Sequence, residues 1–245
     1  MAYSRVKIYV PDLNSPFTQG SYSYSNPTTK RDNIEMIKTI FNKYGQIIKV
    51  WSREFDIPPG VIIAFIATES GGKLNAISKV GCCFGLMQLS PNTIWDCARK
   101  WSSEVSVPLS TNAKNVLTSK VSDFFTSRSV QPSSSQRSRI VSALLTDANY
   151  SIMAGTLSLR WMIERFSTTL TGGQLNKAIV AYNAGAYLKT LQIPGTATTP
   201  NQVPIDSTNL VRSSIPSESR NYLYKMLGVD GFMALIYKDK VINTN

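Results

Sequence analysis

The feature that most constrains this chain is a short run that is apolar on every side. Pro58-Pro59-Gly60 opens an element in which Val61 to Ala67 contains no polar side chain. A helix with one apolar stripe can lie on a surface, but one that is apolar all round must be wrapped by other elements. The run is also far shorter than the roughly 20 residues needed to cross a bilayer. It is therefore read as a helix, Val61 to Glu69, buried in the middle of a domain. Ser70-Gly71-Gly72 stops it, because paired glycines favour left-handed or loop conformations. Glu69 is left at the C-terminal end of a buried helix, an expensive place for a charged carboxylate.

The wrapping elements are legible from their periodicity. Ile34, Ile37, Ile40, Phe41, Tyr44, Ile47, Ile48 and Trp51 recur at three- and four-residue intervals, which predicts an amphipathic helix with Asn33 as N-cap and Gly45 as a point where it can bend. Similar spacing at Tyr150, Met153, Ala154, Leu157, Trp161 and Phe166 predicts a second long helix. Shorter helices are expected over 174–182 and 217–227, with an amphipathic piece ending near Val241. Gly81 to Ser90 is too short and too glycine-punctuated for a helix and reads as a loop or small hairpin. Two stretches read as insertions, one near 102–139 with some helix around 116–125 and its least structured part at 131–137, the other near 193–216. Residues 1–32, rich in Ser, Tyr, Pro and Asn, read as an irregular N-terminal arm, and 33–245 as one domain. The fold class is mainly α, with at most a small β-hairpin.

Composition excludes several chemistries. The 245 residues contain no histidine, which removes Ser-His and Cys-His nucleophile pairs and most zinc sites. No cofactor or metal is expected. The cysteines, Cys82, Cys83 and Cys97, are odd in number, and neighbours in sequence are poorly placed to pair with each other. All three are read as reduced thiols, and Cys82 and Cys83 as small buried hydrophobes, the alternative being a redox-sensitive pair. Lys and Arg outnumber Asp and Glu by 26 to 15, a formal net charge of +11 that favours polyanionic partners. The basic residues (Lys30-Arg31, Arg99-Lys100, Arg137, Arg139, Lys238, Lys240) are scattered, so charge alone is what suggests nucleic acid, and no nucleic-acid partner is expected.

Glu69 is the first candidate for chemistry, the alternative being a helix-terminal Glu that simply points at water. Loss of hydration disfavours its charged form, and a glutamic acid still protonated near neutral pH can give a proton to a glycosidic oxygen. The residues downstream of it are informative. Glu69-Ser70 leads to Asn75-Ala76-Ile77-Ser78, then Gly85-Leu86-Met87-Gln88-Leu89-Ser90-Pro91-Asn92-Thr93, then Ala181-Tyr182-Asn183-Ala184-Gly185, then Glu218-Ser219-Arg220-Asn221-Tyr222. Any one of these is weak; four in this order over roughly 50–227 are specific. Together they resemble the soluble lytic transglycosylase (SLT) family, whose fold is lysozyme-like. Gly71-Gly72, Cys82-Cys83 and the 102–139 insertion depart from that pattern.

The resemblance implies that Glu69 is the sole catalytic acid/base and that Ser70 orients it or the substrate. Gly85, Leu86, Met87 and Gln88 would line a sugar cleft, the glycine admitting a pyranose ring and Gln88 offering its amide, although Met87 and Tyr222 could equally be plain core. Tyr182 and Asn183 would face Glu69 across that cleft, and Glu218 and Tyr222 would support the far wall. It also implies the reaction: cleavage of the β-1,4 bond between N-acetylmuramic acid and N-acetylglucosamine in peptidoglycan, with closure of a 1,6-anhydro ring. The alternatives are a goose-type muramidase that uses water and a second carboxylate, for which Asp96, Asp147 and Glu164 are available, and a non-catalytic glycan-binding or structural virion protein. The N-terminus lacks the apolar core and cleavage site of a secretory signal. The expected setting is therefore a phage or other viral protein, carried in the virion with other virion proteins and acting on the bacterial wall.

Overall fold

In the computed structural model, residues 27–105, 108–166, 174–186, 191 and 215–244 are described. Helix α1 (Pro27–Phe55) leads into α2 (Pro59–Ser70), the apolar run. Val61 to Ile66 of α2 are completely buried. Pro59 suits the first turn of α2, where an amide would lack a partner in any case. Gly60 admits a close neighbour: a Cβ there would lie 2.7 Å from the Ile236 side chain. That neighbour belongs to a C-terminal π-helical turn, Ala234–Lys238.

The remaining helices are α3 (Pro91–Glu104), α4 (Thr111–Lys120), α5 (Ser134–Thr146), α6 (Ala148–Arg165), α7 (Gln174–Ala184) and α8 (Ser217–Leu227). The second central element is α6, buried from Tyr150 through Ile163. Asp147 caps it, its side chain accepting from the Tyr150 amide. Helix α1 packs on both α2 and α6; α3, α5 and α7 surround α6; α8 lies against α2 and α7. The Trp51 indole donates to Asn149 Oδ1 at 2.8 Å, tying α1 to the start of α6. Among the described residues no strand forms. Two isolated bridges, Ile77 with Phe84 and Phe84 with Leu89, are the whole of the expected hairpin. The architecture is mainly helical, as the sequence predicts.

Several elements differ from expectation. Helix α1 already begins at Pro27, so 27–32 are helix rather than arm and Asn33 lies inside it. Proline fits a first helical position, and Lys30 binds both Asp230 (3.1 Å) and Asp239 (2.8 Å), fastening this first turn to the C-terminal segment. Gly45 does not interrupt the helix. Helix α3 was not anticipated, although Ser90-Pro91 marks its start: Ser90 Oγ accepts from the Thr93 amide. The 131–137 stretch, read as least structured, contains the first turn of α5. Ser133 and Gln136 form a reciprocal capping box there. The 102–139 region is thus built into the domain, with Ala113, Leu117, Val121 and Phe124 all buried in its core. Residues 1–26 of the arm and 193–214 of the second insertion lie outside the described residues.

Candidate active site

Helix α2 delivers Glu69 one residue before its end, and Gly71 closes the helix in the left-handed conformation (φ 61°) that a side chain resists. Gly72 comes next at φ 81°, where a Cβ would come within 2.8 Å of Ile40 on α1. This accounts for the glycine pair that departs from the family pattern. Ser70 locks the helix end to the next loop: its hydroxyl donates to the Leu86 carbonyl at 2.8 Å and accepts from the Gly72 amide. It bonds backbone rather than the Glu69 carboxyl, and so fixes where Glu69 stands.

The Glu69 side chain meets α8. Tyr222 donates its hydroxyl proton to Glu69 Oε1 at 2.5 Å. Burial pushes the carboxyl up from 4.5 to about 7, against the Tyr222 hydrogen bond and the charge of Lys225, which pull it down; Glu218 adds to the rise. A helix C-terminus carries partial negative charge, which works in the same direction as burial. Tyr222 is held well above the ordinary tyrosine range by its own burial and by Glu69, so it stays a donor. Glu218, Tyr222 and Lys225 are spaced four and three apart on α8, a single helical face. Glu218 and Lys225 are exposed while Tyr222 is buried. Tyr222 is therefore not a remote wall support but the direct partner of the carboxyl.

Tyr182 takes a different position from the one expected. Its hydroxyl donates to the Met87 carbonyl at 2.9 Å and not to Glu69, although it is close enough for the Glu69 charge to raise it. Phe65, one turn before Glu69, packs edge-on against the Tyr182 ring (4.8 Å between centroids) and tilted against Tyr222 (6.3 Å). Asn183 turns toward α8, its Oδ1 accepting from Ser219 Oγ at 2.7 Å, so it positions the helix that carries Tyr222 rather than facing the carboxyl.

The Gly85–Gln88 turn is corrected most. Leu86 and Met87 are fully buried, so their side chains belong to the core and line no cleft. Met87 packs on α6, where a Cβ at Gly155 would strike its sulfur. The Leu86 amide donates to Ser151 Oγ, so this turn serves the site through its backbone. Gly85 (φ 78°) is required by a protein neighbour instead of a sugar: a Cβ would lie 2.5 Å from the Leu144 carbonyl oxygen. Gln88 has φ 46°. Its Nε2 donates to the carbonyls of Ala76 and Gly85, leaving Oε1 as the atom it can offer a ligand.

The carboxylates considered as a second catalytic group are engaged elsewhere. Asp96 pairs with Lys100, Asp147 caps α6 and binds Lys120, and Glu164 pairs with Arg160 in the core. Phe65 and Lys225 escaped the sequence reading. Their signal was positional: Phe65 precedes Glu69 by one turn, and Lys225 lies three residues after Tyr222 on the same face.

Residues 46–117 match the transglycosylase SLT domain. Compared with curated proteins, the chain matches none. The SLT match takes in Glu69, Ser70 and the Gly85–Gln88 turn, and it supports the SLT family for this segment. It ends before α7 and α8: Tyr182 joins the SLT segment through the Met87 carbonyl and Tyr222 through Glu69, while Asn183 ties α7 to α8 and Glu218 reaches Glu69 through its charge.

Proposed function

We propose that the chain is a peptidoglycan lytic transglycosylase in which Glu69 is the single acid and base. The observation that carries this reading is the Glu69 carboxyl itself: within an SLT segment, desolvated to about 7, and grasped by Tyr222. A carboxyl poised near neutrality is suited both to give a proton and to take one back. In the first step Glu69 protonates the oxygen joining N-acetylmuramic acid to N-acetylglucosamine, and the neighbouring N-acetyl group stabilises the positive charge that develops. Glu69, now a carboxylate held by the Tyr222 hydroxyl and the Lys225 charge, accepts the proton of the muramic acid 6-hydroxyl as the 1,6-anhydro ring closes. The attacking hydroxyl belongs to the substrate and acts at high effective concentration, so no water needs activation.

A hydrolytic reading has one feature in its favour, the exposed Glu218, whose charge reaches Glu69. Digestion of purified peptidoglycan, with products resolved by mass, separates the two. Anhydromuramoyl ends that vanish with Glu69→Gln are expected; reducing ends would replace transglycosylation by hydrolysis, and lysis undiminished in Glu69→Gln would remove Glu69 from the chemistry. The setting we propose is a virion that brings the enzyme to the host wall for penetration or lysis, where a net charge of +11 suits an anionic envelope. Its presence in purified virions by mass spectrometry is the corresponding test.

A further inference from the structure

The expectation that Cys82 and Cys83 are small buried hydrophobes does not hold: Cys82 is exposed, Cys83 half-buried, and only Cys97 is buried. Their sulfurs lie 3.3 Å apart. Ser78 gathers them, its Oγ accepting from the Cys82 amide (3.2 Å) and the Cys83 amide (3.1 Å), while its own amide donates to the Cys83 carbonyl. The loop then runs directly into Gly85, whose amide binds the Ala76 carbonyl, and into Leu86, whose carbonyl Ser70 grips beside Glu69. We propose that Cys82 and Cys83 form a two-thiol modification site, oxidised as a pair by low-molecular-weight disulfides, at the edge of the Glu69 site.

The two sulfurs are unequal in a way that suits sequential exchange. Cys82 is lowered from its ordinary value by the hydrogen bonds of Cys83 and Ser78, whereas Cys83 is raised to about 12, first by burial, then by Cys82, and also by the charge of Glu69. Cys82 is therefore the attacking thiolate. It displaces one thiolate from the small disulfide and keeps the other half as a mixed disulfide. Cys83 then attacks Cys82 Sγ, the Cys82–Cys83 bond forms, the second thiolate leaves, and the Cys83 proton goes with it. The two protein thiols are oxidised by two electrons in total and one small disulfide is reduced to two thiols. Adjacent Cα atoms stand about 3.8 Å apart, closer than the usual disulfide span of roughly 4.4–6.8 Å, so the ring is strained and reopens readily with thiol. Ring closure draws Cys83 away from Ser78 and disturbs the backbone leading to Leu86.

The test uses the reduced full chain treated with glutathione disulfide and read by intact and peptide mass. Wild type is expected to lose the mass of two hydrogens within the 82–83 peptide, with Cys97 unmodified, while Cys83→Ser stops as a glutathione adduct on Cys82. A wild-type protein that stops at the same adduct, or that does not react at Cys82, overturns the proposal. Phenylarsine oxide gives a second readout: wild type retains it by bridging both sulfurs, and Cys82→Ser releases it; equal retention by both overturns the pairing. The placement beside Glu69 rests on the proposed lytic function. Oxidation is expected to slow wall lysis about tenfold or more, reversibly with dithiothreitol, because small displacements of a positioned group are costly to rate. Full lysis by the oxidised form overturns that placement. If the reduced protein lyses nothing, the lytic function fails while the mass result still decides the thiol site.

Discussion

Replacing Glu69 by Gln should stabilise the folded protein at neutral and alkaline pH, by an amount the site itself sets. Raising the carboxyl from 4.5 to about 7 corresponds to about 3 kcal/mol, at roughly 1.4 kcal/mol per tenfold change in proton affinity. The sign is fixed by proton binding. Below the unfolded value both states of the wild type hold the proton, and the carboxyl confers its full contribution. As pH rises from 4.5 toward about 7 the unfolded chain releases its proton while the folded chain keeps it, so wild-type stability falls. Above about 7 both states are ionised and the loss is complete. Glutamine cannot ionise and still offers Tyr222 an acceptor, so Glu69→Gln escapes the loss. Urea unfolding of both proteins from pH 4 to pH 9 measures it. Titrations that do not feel Glu69 are shared and cancel in the difference between them. That difference should grow by about 3 kcal/mol in favour of Glu69→Gln between the two values and then level off. A difference that is flat with pH, or that grows in favour of wild type, would refute the account of Glu69 as a buried, proton-holding acid whatever its catalytic role.

Tyr222→Phe removes the hydrogen bond that pulls Glu69 down, so the alkaline limb of the lysis-pH profile should move above about 7 while the rate at pH 6 falls; an unmoved limb would show that the bond does not govern the proton. Gly85→Ala forces a Cβ against the Leu144 carbonyl at φ 78° and should cost about 3 kcal/mol in thermal or urea unfolding. Ser133→Ala deletes the α5 capping box and should cost about 1 kcal/mol, with lysis per folded molecule preserved.

How much was legible depended on whether a residue's role was local. The buried helix announced itself through seven apolar residues in succession and two glycines, and Glu69 fell at its end by counting alone. The long helix around Tyr150 to Trp161 was equally plain, because its periodicity is written along its own sequence. Leu86, Met87 and Gly85 were placed in a cleft because their motif marks a site, yet burial is decided by what lies across from them. Here that is Leu144, Ser151 and Gly155, far away in the chain. The bond of Tyr222 to Glu69 spans 153 positions, and no local pattern could assign it to Tyr222 in preference to Tyr182. The start of α5 is a different case: Ser133 and Gln136 do carry a local signal, which the surrounding serines obscured.

The double grip of Lys30 on Asp230 and Asp239 brings the two ends of the described chain to one side of the molecule. A tether attached before Pro27 and another attached after Thr244 would therefore leave from neighbouring points. Tension between them would be borne first by a partly exposed ionic clasp. Helix α2 meets the same C-terminal turn at Gly60, so the first turn of α2 lies against the clasped segment while Glu69 stands at the opposite end of the helix. Salt is the agent that should loosen the clasp first, and its effect would reach the start of α2 before it reached Glu69.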